Sequence, residues 1–386
     1  MLIDETKKIL SCNDFELGID RETFLEYKVS YPSDVKPKAI VFIIPGFGED
    51  TNSGYMDKLR KYVAETFSVV AINVFYHCFY SRPNNGAGIE FDDNDVFVLK
   101  DVIERYRIDF SMVKEINREV VLEKLLATDK EITISMTLVP KNNEYQNFGV
   151  MQAIDHLNVL KDIRERIEGV NNIPVVCFGS SHGAYIAHMM VKIAPGVIDN
   201  IIDNSSYVKP PLTYIIGKET NVNLPEFVLS DNKLKVHCFV QTYWNTNINS
   251  PYYFSNDRYM IRNLLNKEHI KKMVQISKNR TKYSFYHSEY DTIAPVEDKI
   301  SFYEELLENG YDVKMKIFSN ENDIDGTFIK NLTHGMNMSL KELIKRELPA
   351  IISKYIPAPY IEQQVEYKCD TLNYIFNTKE FVYKCI

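Results

Sequence analysis

Residues 175–183 read Val-Val-Cys-Phe-Gly-Ser-Ser-His-Gly. The last five form a G-x-S-x-G pattern between an apolar run and a stretch with helical spacing. A serine on such a sharp strand-to-helix turn projects its Oγ from the carboxyl edge of a sheet. Gly179 and Gly183 leave room for the tight backbone, and the following helix aims its N-terminus at a developing oxyanion. Ser181 is therefore the candidate nucleophile, while Ser180 would point elsewhere. The chemistry this pattern suits is acyl transfer. A serine hydroxyl is a weak nucleophile, so it needs a base that an acid orients.

In this architecture the chain order is Ser, then Asp or Glu, then His. Asp291 follows a strand and precedes a helix within Tyr286-His-Ser-Glu-Tyr-Asp-Thr-Ile-Ala-Pro-Val296. His334, within Thr333-His-Gly-Met336, follows the next strand and precedes the last long helix. Asp203 also ends a strand and is the main rival acid. His287 and Glu289 are weaker candidates, and the side chain of His182 reads as a site wall or a cap. Two backbone N–H groups should form the oxyanion hole. One belongs to His182 and the other to Phe47, in the loop Pro45-Gly46-Phe47-Gly48.

These residues require elements to hold them. Ala39–Ile44 and Val175–Phe178 are continuous apolar runs that read as strands buried on both faces. Further strands are expected at 68–74, 197–204, 282–287 and 313–318, and helices at 54–66, 150–167, 184–193, 296–309 and 340–352. Alternation over 15–19 and 24–31 predicts an early antiparallel pair, and alternation from 357 onward a β-hairpin or meander. Two stretches break the rhythm, 79–147 and 208–279. The fold expected is α/β, a mostly parallel sheet with helices on both faces. Residues 1–356 would form the catalytic domain, with those two segments inserted as a cap and 357–386 as a C-terminal β-hairpin. Without the insertions and the tail, the remainder is the size of one α/β core.

The chain has 386 residues, with 45 basic against 53 acidic side chains and a net charge of −8. That sum disfavours a nucleic-acid partner, which needs a basic face to release counterions. The longest apolar run falls far short of the ~20 residues a membrane helix needs. The opening MLIDETKKIL lacks the layout of a signal peptide. A cytoplasmic location without membrane association is expected. None of the six cysteines forms a CxxC pair, so no metal site is expected, and no cofactor-binding motif is present.

Taken together, Gly-Ser-Ser-His-Gly183, Asp291-Thr-Ile-Ala-Pro-Val, Phe302-Tyr-Glu-Glu-Leu-Leu-Glu-Asn-Gly310 and His334-Gly335-Met336 resemble the α/β-hydrolase superfamily. They are similar to its prolyl-oligopeptidase and dienelactone-hydrolase branch, over about 38–78, 148–207 and 280–356. The resemblance implies a Ser–Asp–His hydrolase. No propeller domain precedes the core, and both insertions are foreign to that branch. Length, insertions and tail also resemble a bacterial family catalogued as a domain of unknown function. Its members tend to accompany flagellin-glycosylation genes, which implies a sugar-related substrate by association.

Residues 239–259 interleave Phe239, Tyr243, Trp244, Tyr252, Tyr253, Phe254 and Tyr259 with four asparagines. Aromatic faces beside amides suit a glycan, and Tyr243 and Trp244 are the candidate contacts. The plainer alternative is that these rings form the small core of a lid. The leading expectation is an O-acyl esterase for a small or carbohydrate ester. An O-acyltransferase with a sugar acceptor and a non-catalytic binding protein are the rivals. Exposed strand edges in the tail could pair between subunits into a homo-oligomer.

Overall fold

The apolar runs do become the centre of a sheet. A computed structural model describes residues 1–47, 54–109, 118–220, 223–231, 233–357, 364–380 and 382–386. They fall into two compact units, one of 1–76, 148–210 and 255–386 and the other of 77–147 and 211–254.

The first unit holds an eight-stranded sheet. Its order is Leu2–Leu10, Phe24–Pro32, Val70–Phe75, Ile40–Ile44, Val175–Ser180, Asn200–Asn204, Lys282–Ser288 and Val313–Phe318. The first three neighbours pair antiparallel, and every later pairing is parallel. Ile40–Ile44, Val70–Phe75 and Val175–Ser180 are buried along their whole length. Helices cover both faces, as the period-2 alternation of a strand requires. Val41 and Ile43 pack with Met56, Leu59 and Val63 of helix Gly54–Phe67 and with Leu343, Ile344 and Leu348 of helix Leu340–Lys354. Phe42, on the other face, lies against His156 of helix Val150–Arg166.

Two expectations for the N-terminal region change. Residues 15–19 form no strand. The Asp14 carboxylate accepts hydrogen bonds from the N–H groups of Glu16 and Leu17 and folds the segment into a turn closed by the Asp14–Ile19 bridge. The partner of Phe24–Pro32 is instead the charged edge strand Leu2–Leu10. Of the two alternatives for the tail the structure has the meander, three antiparallel strands at Gln364–Lys368, Asn373–Asn377 and Val382–Cys385.

The second insertion is also shorter than 208–279. Residues 255–279 belong to the first unit because buried polar contacts tie them there. The Arg262 guanidinium donates to both oxygens of Glu16 at 2.9 and 2.6 Å. Arg258 donates to the Tyr374 hydroxyl at 2.7 Å, and that hydroxyl donates to Glu16 at 2.8 Å. Asp257 accepts from the N–H groups of Thr371 and Leu372, which fixes the first turn of the meander.

The second unit is built from both insertions together. Its sheet runs Gly88–Glu90, Ile132–Val139, Leu234–Val240, Phe227–Asp231, and the central pair is parallel, with Ile132 opposite Leu234. Asp92 and Asp95 form a reciprocal cap on helix Asp93–Tyr106. Lys218 lies 2.7 Å from each of these carboxylates.

Candidate active site

The strand Val175–Ser180 passes into helix His182–Ile193 through Ser181, whose φ of 51° lies in the left-handed region. A non-glycine residue there is strained by about 1–3 kcal/mol, and such strain is held by its surroundings. Those surroundings admit no side chain on either flank. A Cβ on Gly179 would lie 2.3 Å from the Ala184 Cα, and one on Gly183 would lie 2.1 Å from the Ile44 carbonyl oxygen. Both glycines of the motif are therefore required by close backbone approach.

The structure brings Ser181, His334 and Asp291 together. His334 Nε2 lies 2.7 Å from Ser181 Oγ, and its Nδ1 lies 2.9 and 2.8 Å from the two Asp291 oxygens. Asp291 Oδ1 also accepts from the N–H groups of Ile293 and Ala294. Burial opposes ionisation of this carboxyl. The hydrogen bond and charge of His334, the Ala294 N–H and the nearby His287 outweigh it and hold the group below its ordinary range. Since the carboxylate only accepts, the neutral imidazole carries its proton on Nδ1 and presents Nε2 as the acceptor for the serine O–H.

The loop that delivers His334 is anchored from below. Met336, with a φ of 53°, is buried in the core, and its carbonyl accepts from the N–H groups of Lys330 and Asn331. The Ser288 hydroxyl donates to the Leu332 carbonyl. On one side of the imidazole, Tyr207 stacks with its ring centroid 6.0 Å away and the planes 27° apart.

The other expected residues fall as follows. Asp203 does not approach Ser181 or His334 through its side chain. It is sealed among Lys299, His188 and Ser206. His287 donates from Nε2 to the Ala294 carbonyl, shaping the loop that carries Asp291. The His182 side chain is fully buried, and burial lowers its pKa to about 3, with His156 adding to the effect. Its Nε2 donates to Gln152 Oε1 at 2.7 Å, and the same oxygen accepts from the Gly149 N–H. Its ring meets that of Phe47 edge-on at 5.5 Å, so the two residues expected to supply the oxyanion donors are neighbours. No side chain caps the start of the helix that His182 opens, which leaves its dipole directed past Ser181. Gly48 of the expected oxyanion loop lies outside the described residues.

Sequence reasoning missed Gln152 and Tyr207. Gln152 sits at the third position of a helix that begins after Gly149, a pattern that marks a cap but not its second partner. Nothing local distinguishes Tyr207 from the chain's other 24 tyrosines.

In the second unit, Trp244 is only 1% exposed and packs edge-on against Tyr145 and Phe254. Its ring belongs to the core of that unit, which removes it as a glycan platform. Tyr243 is half-buried and stacks on Tyr145 with ring centroids 4.8 Å apart. Both border a cleft of about 300 Å3 that also includes Asp92, Lys218 and Gln241.

Over residues 5–384 the sequence matches the family described as Protein of unknown function (DUF2920). The chain belongs to that family. No curated protein matches its sequence. Among solved structures, it is similar to Est1E from Butyrivibrio proteoclasticus, at 11% identity and a TM-score of 0.43, covering 87% of this chain and 98% of that one. It is similar to a Klebsiella pneumoniae protein described as a dienelactone hydrolase, at 10% identity and a TM-score of 0.43, covering 92% and 100%. It is also similar to the Pyrococcus horikoshii acylaminoacyl peptidase, at 11% identity and a TM-score of 0.48, covering 99% of this chain and 44% of that one. The fold of this DUF2920 chain is the α/β-hydrolase fold, as its own strand order and strand–elbow–helix turn establish. Among the described residues, no helix is long and apolar enough to cross a membrane.

Proposed function

We propose that this chain is a serine hydrolase, and specifically an O-acyl esterase for a small or carbohydrate ester. The observation that carries this reading is the continuous line of hydrogen bonds from Ser181 Oγ through His334 to Asp291. In the proposed reaction His334 Nε2 takes the hydroxyl proton as Ser181 Oγ attacks the ester carbonyl. The N–H groups of His182 and Phe47 hold the oxyanion. The imidazolium then returns its proton to the departing alcohol, leaving an acyl-enzyme. Water, deprotonated by the same imidazole, attacks the acyl carbon and releases the acid. Asp291 remains ionised throughout, fixing the tautomer and stabilising the imidazolium.

Tyr243 beside its polar cleft is the candidate ligand contact of the second unit. Fluorophosphonate labelling tests the reading. Wild type should be labelled at Ser181 and Ser181→Ala should not. Equal labelling of the two, or none of wild type, refutes it. Hydrolysis of esters of graded acyl length, with and without sugar acceptors, then reads out the acyl group and whether water is the acceptor.

A further inference from the structure

We infer that Asn204 is a positioning residue that sets the distance between the nucleophile and its base. This rests on the reading of Ser181 as nucleophile and His334 as base. Asn204 ends the strand that lies between the elbow strand and the strand leading to Asp291. It stands opposite Ser180 on one side and Tyr286 on the other. From that place it touches both halves of the machinery. Its carbonyl oxygen accepts the N–H of Ser181 at 2.7 Å. Its side-chain Nδ2 donates to the carbonyl of Gly335, the residue after His334, at 3.1 Å. The remaining N–H of the same amide points at Ser180 Oγ, 3.4 Å away.

The amide is held in this orientation. Ser205 Oγ donates to Asn204 Oδ1 at 3.1 Å, and Ser205 itself is held at a φ of 59° while its N–H donates to the Tyr286 carbonyl. Turning the amide over would place two oxygens against each other at Gly335, whose carbonyl can only accept. The Gly335 and Met336 backbone lies in the left-handed region, so the histidine loop is a tight bend whose height depends on what grips it. One rigid residue therefore grips the serine through its main chain and the histidine loop through its side chain. Displacing a reacting group by about 1 Å costs on the order of 100-fold in rate.

The test follows fluorophosphonate labelling of the full chain over time, so that the maximal rate and the half-saturating concentration are read separately, per folded molecule. Asn204→Ala should lower the maximal rate roughly 10- to 100-fold with the half-saturating concentration unchanged. Asn204→Asp, which puts an acceptor opposite the Gly335 carbonyl, should be at least as slow. Ser205→Ala, which removes only the hydroxyl that orients the amide, should fall in the same direction by a smaller factor. The double variant should match Asn204→Ala alone, because the hydroxyl acts through the amide. Wild-type rates in Asn204→Ala and Asn204→Asp overturn the inference and leave the nucleophile standing. Independent, multiplying effects of the two alanine substitutions overturn it as well. If Asn204→Ala fails to fold, a wild-type rate in Ser205→Ala is the overturning result. Absence of labelling in wild type overturns both this inference and the function it rests on.

Discussion

Two aspartate–histidine pairs lie near the carboxyl ends of neighbouring strands, and each has a serine beside it. In one, Asp203 accepts from His188 at 2.8 Å and from Ser206 Oγ at 2.7 Å. In the other, Asp291 accepts from His334, which reaches Ser181. The residue types are the same and the environments are opposite. Lys299 sits 2.6 Å from Asp203, and the whole cluster is buried. Burial opposes the charge on Asp203, but the Lys299 ammonium and His188 hold the carboxyl well below its usual range. Burial and Lys299 keep His188 neutral against the pull of Asp203. That cluster is neutralised and sealed, so its serine has no substrate to meet. The ligands of Asp291 are instead backbone N–H groups and an imidazole. In the proposed reaction its charge stays available for the imidazolium at His334, whose side chain is 17% exposed. The two pairs share their residue types and differ in what surrounds them, and the proposed function rests on the open one.

Substitution should separate the two pairs by opposite signatures. Asp291→Asn should lower the labelling rate of Ser181 on the order of 10^4-fold, since the imidazole loses its tautomer and its counter-charge. Its midpoint of thermal unfolding should move little by comparison. Lys299→Met should do the reverse. It leaves Asp203 buried without its cation and should cost about 3–5 kcal/mol in denaturant unfolding. The molecules that remain folded should label at the wild-type rate. A Lys299→Met protein that is stable but unlabelled would place the sealed cluster in the machinery after all.

Acid should act on the sealed histidines before it reaches the carboxylates. Burial lowers the pKa of His156 to about 4, and of His182 and His269 to about 3. Below pH 6.5 the unfolded chain binds protons at these sites and the folded chain does not. Stability should therefore fall as pH drops from 6.5 toward 4, by about 1.4 kcal/mol per pH unit for each histidine fully titrating when unfolded. Urea midpoints at pH 7, 6 and 5 check this, and a flat profile would contradict the burial of these rings.

The candidate-site half of this contrast was legible in the sequence for a physical reason. An elbow serine needs two glycines and an apolar strand at fixed local spacing, and the acid and base need strand ends. Asp203 also satisfies the strand-end rule. What disqualifies it is Lys299, a partner on a distant helix that no local pattern connects to it. The same limit hid the membership of residues 255–279, because Arg262 finds Glu16 only in three dimensions. It also hid the edge strand Leu2–Leu10, where lysines and glutamates that guard an edge mask the strand signal. Trp244 stayed open between two readings because an aromatic cluster looks alike in sequence whether its rings face a ligand or each other.

The parallel pairing of Ile132–Val139 with Leu234–Val240 carries a consequence for how the chain is made. The first of these strands leaves the ribosome well before the second, and the elbow strand, its helix and Asn200–Asn204 all emerge between them. The second unit therefore waits, with Ile132–Val139 paired only to the short Gly88–Glu90 and its other edge open, while the first unit gathers its central strands. The chain is sewn as two interleaved stitches. A stalled synthesis that ends near residue 210 would release a chain whose strand Ile132–Val139, outside the central sheet, keeps one apolar edge open, a feature that favours aggregation.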